Sequence, residues 1–152
     1  MDETDRSILA CLQEDAGMPV AKIARRVGLS SSPCWRRIQN LEESGVIRAR
    51  VALLDSKALN LGVTVFVAVR TRHHSERWLE EFATTVKEFP EVVEFYRMSG
   101  EIDYLLRVVV PDVAAYDGFY KRLIEKIDLS DVSSSFAMEE IKYTTALPLD
   151  YA

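Results

Sequence analysis

The segment between Pro19 and Leu41 is rich in cationic side chains and contains no acidic one, although the chain as a whole has a net charge of −5. Its cations are Lys22, Arg25, Arg26, Arg36 and Arg37. Such side chains bind phosphates and release their counterions, so the segment attracts nucleic acid. It also has the pattern of two short amphipathic helices joined by a tight turn at Gly28, which places the second helix in the major groove. Together these features predict a helix-turn-helix that binds DNA.

The second helix of this pair decides which side chains reach DNA. Cys34, Ile38 and Leu41 are spaced i, i+4 and i+7, so they face the core and Arg36 points away from it. Arg36 is therefore the first candidate for a base contact, whereas Arg37 lies nearer the buried face. The candidate DNA contacts are Lys22, Arg25, Ser31, Ser32, Pro33, Trp35, Arg36, Arg37 and Gln39.

These candidates also have plainer interpretations. The arginines could form a solvated helix face, and Ser31 and Ser32 could be ordinary first-turn residues instead of phosphate donors. Trp35 could pack against the segment that follows the helix instead of contacting DNA. DNA contact is favoured because the cations occur without acids on the element shaped for the groove.

A second group of polar residues lies in the turn Ser99–Tyr104. Glu101 and Asp103 supply carboxylates that suit an ammonium group, the backbone N–H groups suit a carboxylate, and Gly100 allows close approach. The turn could hold a zwitterion, or it could be a tight β-turn that happens to be polar. The hydroxyls of Ser133–Ser135 could line the same pocket or belong to a loop.

Metal and catalytic chemistry lack the residues that they need. His73 and His74 are adjacent, so they point to opposite sides, and no Cys or third His accompanies them. We expect an exposed loop there, with no metal and no cofactor. Cys11 and Cys34 each lie beside Leu or Ile on a helix face, which predicts reduced core thiols in a cytoplasmic protein. No activated nucleophile is visible, so we expect no enzymatic activity.

Charge is distributed unevenly along the chain. Residues 1–50 carry eight Lys or Arg against seven Asp or Glu, a net charge of +1, so the remaining residues carry −6. We expect two parts with different partners, of which only the first binds an anion. No apolar run approaches the roughly 18 residues of a membrane span, and the N-terminus lacks a signal segment, so we expect no membrane partner.

The helices that position the cationic segment can be assigned from capping and breaking residues. A helix over residues 3–14 is capped by Asp2, and a second helix starts at Pro19. Ser30 offers an N-cap oxygen to the third helix, and Gly45 ends it. Residues 46–54 alternate loosely enough to form a short strand or wing.

The second half of the chain changes to β-branched and aromatic runs of strand length, at 63–69, 92–98, 104–110 and 132–138. Helical patterns follow the first and third runs, which gives the βαββαβ order of a ferredoxin-like unit. We predict an α+β protein with an N-terminal winged helix-turn-helix domain at 1–54 and a linker at 55–61. A ferredoxin-like βαββαβ domain for ligand sensing and dimerisation follows at 62–152.

Two helices on one side of four strands leave the other face of the sheet uncovered. Phe66, Phe95 and Leu106 are candidates to lie on that face, and an exposed apolar face normally finds a partner. A two-fold dimer would also pair two recognition helices on a palindromic site. We therefore expect at least a dimer.

Seven sequence motifs carry a family resemblance. They are Asp5–Leu9 (DRSIL), Val27–Ser30 (VGLS), Ser32–Ile38 (SPCWRRI), Leu41–Ile47 (LEESGVI), Ser99–Leu106 (SGEIDYLL), Glu139–Lys142 (EEIK) and Thr144–Pro148 (TTALP). Any one of these motifs is weak evidence. In this order, and across essentially the whole chain, they resemble the Lrp/AsnC family of transcriptional regulators.

The resemblance implies a DNA-binding N-terminal domain and a C-terminal domain that dimerises, assembles further (up to an octamer), and senses a small molecule, commonly an amino acid. It places the effector pocket near the Gly-x-x-Asp-Tyr turn, at a contact between dimers. The effector-binding residues are then Ser99, Gly100, Glu101, Asp103, Tyr104, Ser134 and Ser135. The chain departs from the family pattern at Ile102, often aromatic, and at Arg50, often Tyr, where an Arg adds a candidate phosphate contact.

These features favour a regulator that binds double-stranded DNA and responds to a small molecule. One alternative is an enzyme, since some proteins of similar architecture are decarboxylases that act on a tetrapyrrole. Another is an oligomeric ligand sensor without DNA activity. Both would be expected to lack the cationic recognition helix, which is intact here.

Overall fold

Three short helices form the first of two compact units in the computed structural model, which describes residues 1–72 and 75–152. The helices are α1 (Glu3–Glu14), α2 (Val20–Arg26) and α3 (Ser31–Glu43). Their unit comprises Met1–Leu53 and Lys142–Ala152. The pair His73–His74, considered above as a metal site, lies outside the described residues.

The start of α1 is fixed by reciprocal hydrogen bonds, of which the sequence predicts the Asp2 cap. The Asp2 carboxylate accepts from the backbone N–H of Asp5 at 2.9 Å, and the Asp5 carboxylate accepts from the N–H of Asp2 at 3.1 Å. This capping box satisfies backbone donors that the first helical turn leaves without partners. Ser30 does stand at the N-cap of α3, but its side chain makes no capping hydrogen bond, so the predicted cap oxygen is not used.

The core of the first unit is formed by the helix faces that sequence spacing predicts. Cys34, Ile38 and Leu41 of α3 are buried, and they pack with buried residues of α1 and α2. Cys11 and Cys34 are free and buried, in agreement with core thiols. Burial raises the pKa of the Cys34 thiol, which keeps it protonated.

The turn between α2 and α3 depends on Gly28, whose φ of +70° is a left-handed conformation that glycine adopts without cost. Gly45, with φ of +75°, ends α3 in the same way. Of the two forms predicted for residues 46–54, a short strand or a wing, the strand is wrong, since none of these residues is in a strand. A strand needs a hydrogen-bonded neighbour, and the first unit has no strand among its described residues to supply one.

The second unit, Leu54–Ile141, contains a four-stranded antiparallel sheet with two helices. Its elements are β1 (Val63–Arg70), α4 (Glu76–Lys87), β2 (Val92–Arg97), β3 (Tyr104–Val110), α5 (Val113–Lys126) and β4 (Asp131–Phe136). The strand order is β2-β3-β1-β4. This confirms the predicted ferredoxin-like βαββαβ arrangement.

One face of the sheet forms the core of the second unit and the other is open. Val65, Val67 and Val69 of β1 are fully buried against α4 and α5. Phe66 lies between them on the opposite face, 38% exposed, as predicted. The apolar part of the open face is formed by Phe66, Ala68, Tyr96, Leu105 and Val109.

The prediction that Phe95 and Leu106 lie on the open face is wrong. They oppose each other in the β2–β3 ladder on the covered face, where Leu106 is fully buried and the Phe95 ring packs 5.3 Å from that of Phe82. A bulge between Val92 and Glu94 shifts the register and turns Phe95 inward. Simple alternation along the strand does not anticipate that shift.

The tail Lys142–Ala152 belongs to the first unit, although the predicted C-terminal domain ran from 62 to 152. Leu149 packs against the core of the helices, and Gln13 of α1 is hydrogen-bonded to the backbone of Leu147. An apolar side chain that fills a gap in a neighbouring core holds its segment there. No helix in the described ranges has the length and apolar character needed to cross a membrane.

Candidate nucleic-acid interface and effector site

Helices α2 and α3 present cations that have no partner in the described part of the chain. Lys22, Arg25 and Arg36 are exposed, and none of their side chains makes an ion pair or hydrogen bond with a described residue. Unpaired cations keep their full charge available to a phosphate or a base edge. Of the five cations of this segment, these three can bind a phosphate without first losing a carboxylate partner among the described residues.

The other two cations of the segment are already paired. Arg37 donates from Nη1 to Asp2 Oδ2 at 2.8 Å and to Asp5 Oδ1 at 2.7 Å, which joins α3 to the start of α1. These carboxylates, that of Asp5 above all, raise the pKa of Arg37. Arg26 is paired with Glu14 at 2.7 Å. Both arginines therefore have structural partners that a phosphate would have to displace.

The remaining candidates on α3 differ in how far they are available. Ser31 and Ser32 are exposed in its first turn, and Pro33 is half-buried. Trp35 is 53% exposed, so much of its ring faces outward. Gln39 is half-buried and donates to Glu42 Oε2 at 3.0 Å. The first turn of α3 and the ring of Trp35 therefore lie open to a ligand, while Gln39 is partly occupied.

Arg50 is not free to act as the added phosphate contact expected from the sequence. Its guanidinium bonds Glu42 Oε1 through Nε at 3.0 Å and through Nη2 at 2.7 Å, and it also reaches the backbone oxygen of Ala16 at 3.2 Å. This clamp fixes the segment after α3. Nearby Arg48, which is not among the predicted DNA contacts, is exposed and has no described partner. Alternation with Arg50 was the signal that could have identified Arg48.

The polar turn in the second unit is held by its own backbone and by β1. The carboxylate of Asp103 accepts from the N–H of Thr71 at 2.8 Å, and the N–H of Asp103 bonds the Val69 oxygen at 3.0 Å. Gly100 has a φ of +119°, which favours glycine. Ser99, Gly100 and Glu101 are exposed. Asp103 thus braces the turn, and the exposed part of the turn precedes it.

Arg70 of β1 adds a cation beside this turn that the sequence did not indicate. Its Nε donates to the backbone oxygen of Glu101 at 2.8 Å, and its guanidinium lies 4.0 Å from the Glu101 carboxylate and 3.6 Å from that of Asp131. Arg70 of β1 therefore lies between two carboxylates, that of Glu101 in the turn and that of Asp131 at the start of β4.

A cavity of about 310 Å³ lies on the other side of the turn. Its lining consists of Ser75, Glu76, Leu79, Arg97, Met98, Asp103 and Tyr104. Arg97 is exposed and makes no ion pair with a described residue. The cavity thus combines a cation that has no ion pair with a described residue, carboxylates and an apolar wall. These groups can bind the carboxylate, the ammonium group and the side chain of a small zwitterion.

The predicted effector residues are not all brought together. Tyr104 is buried, with its ring 5.1 Å from that of Phe82. Ser134 opposes Val67 on the covered face, where its hydroxyl shares a hydrogen bond with the hydroxyl of Tyr116. Ser135 opposes Phe66 on the open face. Consecutive strand residues point to opposite faces, so these two serines cannot line one pocket within a single copy of the unit.

Comparison with known families gives one match to the helical part of the chain and one to the sheet and the start of the tail. Residues 1–48 match the family model for winged helix-turn-helix DNA-binding, and residues 64–147 match that for the Lrp/AsnC ligand binding domain. The chain belongs to the Lrp/AsnC family. Members of this family regulate transcription by binding DNA, and the chain is a DNA-binding transcriptional regulator of this type.

Individual relatives agree along the whole length of the chain. It is 50% identical to the DNA-binding transcriptional activator DecR of Escherichia coli (strain K12), over 99% of each chain. An AsnC family transcriptional regulator from Agrobacterium tumefaciens has the same fold, with 68% identity, a TM-score of 0.97 and 99% of each chain covered. A transcriptional regulator from Neisseria meningitidis, solved as a complex with L-Met, gives 39% identity and a TM-score of 0.95 over 99% of this chain and 98% of that one.

Proposed function

We propose that this Lrp/AsnC family regulator reads double-stranded DNA through α3, with Arg36 at a base edge and Lys22 and Arg25 on phosphates. The observation that carries this assignment is that these three cations are exposed and make no ion pair with a described residue, while Arg26 and Arg37 are held by carboxylates. Ser31, Ser32 and Pro33 lie at the N-terminal end of the same helix, where backbone N–H groups favour a phosphate. Arg37 and Gln39 then act mainly by positioning α3.

The effector that we propose is an amino acid, bound at the turn Ser99–Tyr104. Arg97 suits its carboxylate, Glu76 and Asp103 suit its ammonium group, and Leu79 and Met98 offer an apolar wall to its side chain. The solved relative that carries L-Met supports this ligand class. Enzymatic activity forms no part of the proposal, since the relatives are transcriptional regulators.

We also propose that the regulator acts as a homo-oligomer, with a dimer formed through the open face of the sheet. Phe66, Tyr96 and Leu105 leave apolar surface there that a second copy would cover. Two-fold symmetry would then pair two copies of α3 on two half-sites of an operator. We propose that the regulator acts in the cytoplasm, where the DNA that it binds is located.

The direct test is binding of random genomic DNA fragments by the purified full chain, measured by gel shift at low and moderate salt. We expect retention of DNA at low salt, a steep loss as salt rises, and recovery of a preferred subset of fragments at moderate salt. A chain that retains no DNA at low salt would contradict the assignment. Screening the twenty amino acids by thermal shift tests the effector class, and no stabilisation by any of them would exclude it.

A further inference from the structure

The C-terminal tail lies in a groove on the DNA-binding unit, and its last residues fall outside both family matches. The groove lies between α1 and the segment 46–51, and the matches end at residue 48 on one side and at residue 147 on the other. Residues 148–152 belong to neither match, yet they lie in the first unit with α1–α3. A role for this segment must therefore be sought in its contacts.

Gln13 of α1 holds the tail by both hydrogen-bonding groups of its amide. Its Nε2 donates to the backbone oxygen of Leu147 at 3.1 Å, and its Oε1 accepts from the backbone N–H of the same residue at 2.6 Å. A side-chain amide used in this way replaces the peptide group of a neighbouring strand and recognises backbone instead of a particular side chain. This contact fixes where the tail crosses α1.

Beyond Leu147 the tail is held by one apolar contact and one polar contact. Leu149 packs against the helix core, and the Arg6 guanidinium donates to the backbone oxygen of Ala152 at 2.8 Å. The two polar anchors therefore lie two turns apart on α1, one at each end of the segment 147–152. The end of the segment folds back in a turn at Asp150 and Tyr151, closed by a 3.2 Å hydrogen bond from the N–H of Ala152 to the oxygen of Leu149.

The seat of the tail is apolar and only partly filled. A cavity of about 580 Å³ remains beside it, lined by apolar residues from α1, from the segment 46–51 and from the tail itself. These residues include Leu9, Leu12, Val46, Ile47, Val51, Leu147, Pro148 and Leu149. Leu147 stays 72% exposed and Tyr151 92% exposed. A segment with few contacts and much exposed surface opens more readily than the core does, so the contact is reversible.

We propose that this groove is a docking site for residues 147–152 of the chain itself, and that the docked tail raises DNA affinity by ordering the segment that carries Arg48. Segment 46–51 is tied to α3 through Ile47 and Arg50 on one side, and lines the tail groove on the other. Removal of the tail takes away the second support and exposes the apolar wall. The effect on DNA rests on the proposed function, whereas the docking does not.

Hydrogen exchange on the full chain, read by mass spectrometry, tests the docking. Five proteins are compared: wild type, a chain ending at Ala146, Gln13→Ala, the double change, and Tyr151→Ala as the control. In the shortened chain, in Gln13→Ala and in the double change, we expect exchange to be about tenfold faster than in wild type in α1 and in the segment 46–51, and unchanged in β3. Tyr151→Ala should exchange like wild type. Unchanged exchange in α1 of the shortened chain would overturn the proposal.

The double change isolates the Gln13 contact. If Gln13 acts by holding the tail, Gln13→Ala adds nothing once residues 147–152 are gone. Additive effects would show that Gln13 stabilises α1 by another route and would overturn its assigned role. The Tyr151→Ala chain shows whether any change in the tail produces the effect.

Binding of a random DNA duplex at low salt then tests the regulatory part. We expect the shortened chain to bind several-fold more weakly than wild type, because Arg48 is no longer held toward DNA. Faster exchange with unchanged affinity would overturn this part. A wild type that binds no DNA would defeat the proposed function while the exchange result still decides the docking.

Discussion

Arg37 of α3 and Asp5 of α1 form a half-buried ion pair, with 2.7 Å between Arg37 Nη1 and Asp5 Oδ1. The same nitrogen contacts Asp2, so one guanidinium links the recognition helix to the capped start of the first helix. Its neighbour Arg36 is exposed and makes no such pair within the part of the chain that the structure describes. Two adjacent arginines therefore have different partners, one inside the unit and one available to DNA.

Replacement of Arg36 by Ala should weaken binding to a preferred DNA fragment by about 1–3 kcal/mol and relax preference at the bases it reads. Replacement of Lys22 by Ala should weaken binding to all fragments evenly and reduce the salt dependence. Fluorescence anisotropy with a preferred and a random duplex, over a range of salt, measures both effects.

Arg26→Ala is the matched control for Arg36→Ala, because Arg26 belongs to the same cationic segment but is paired with Glu14. It should leave sequence preference unchanged. If Arg36→Ala retains wild-type affinity and preference, the orientation assigned to α3 on DNA is wrong.

Arg37→Ala should lower the melting temperature, because it leaves the carboxylates of Asp2 and Asp5 without their cation. The change should act on stability more than on sequence preference. Circular dichroism melting at neutral pH measures the loss, with Arg36→Ala as the exposed comparison. If Arg37→Ala has a normal melting temperature and has lost sequence preference, Arg37 contacts DNA and does not stabilise the unit.

The pH dependence of stability should reveal the charge on Asp2. The backbone N–H of Asp5 and the guanidinium of Arg37 hold the pKa of Asp2 below its ordinary value of 3.8. Its contribution is thus fully present above pH 3.8 and is lost as the pH falls through the lower folded pKa. Asp2→Asn should be less stable than wild type at pH 7 in urea unfolding, and the difference should shrink below the ordinary pKa.

Glu43→Gln controls for a general loss of charge, since Glu43 is exposed in the same unit and makes no ion pair with a described residue. It should show no comparable loss of stability at pH 7. A difference between wild type and Asp2→Asn that stays constant down to pH 2 would show that the charge on Asp2 contributes nothing.

Placement of a charge on the open face of the sheet should separate the subunits. Phe66→Asp puts a carboxylate in the apolar part of that face, and burial of an unpaired charge in an interface is costly. We expect a lower mass by light scattering at micromolar concentration. Ile124→Asp is the control, because Ile124 is an exposed apolar residue on α5, away from that face. If Ile124→Asp alone lowers the mass, the interface between subunits is formed by the helices and not by the open face of the sheet.

Arg97→Ala should abolish thermal stabilisation by the amino acid that stabilises wild type, while DNA binding without the effector stays intact. The expected reason is loss of the cation that holds the ligand carboxylate. Glu125→Gln, on the exposed surface of α5, is the control. Asp103 is a poorer test position than the sequence suggested, because its carboxylate also braces the N–H of Thr71. Equal stabilisation of wild type and Arg97→Ala would place the pocket elsewhere.

Much of the fold could be predicted from the sequence because its signals are local. Asp2 and Gly28 act within a few residues of their own positions, and the buried spacing of Cys34 and Ile38 follows from helix geometry. The inward turn of Phe95 could not be predicted in this way, since it depends on a bulge set by pairing with β3. Local patterns identify elements, whereas pairing between strands decides which face a residue joins.

The candidate site shows the same limit. The cationic segment was visible as a run of residue types, but the division between free Arg36 and paired Arg37 depends on carboxylates more than 30 residues away. Likewise Ser134 and Ser135 looked like one polar group until strand register placed them on opposite faces. Partners that are distant in sequence leave no local pattern, so charge alone does not show which cations have carboxylate partners within the unit.

The DNA-binding unit is completed by a segment that the ribosome produces late. Residues 54–141 separate the helices from the tail, and the whole sheet unit is synthesised in that interval. Domains fold as they emerge during translation, so α1–α3 exist for a time with their groove empty. A chain that stops before residue 142 would carry every candidate DNA contact and still lack its last support. High affinity for DNA would then require that residues 142–152 have been synthesised and have docked in the groove.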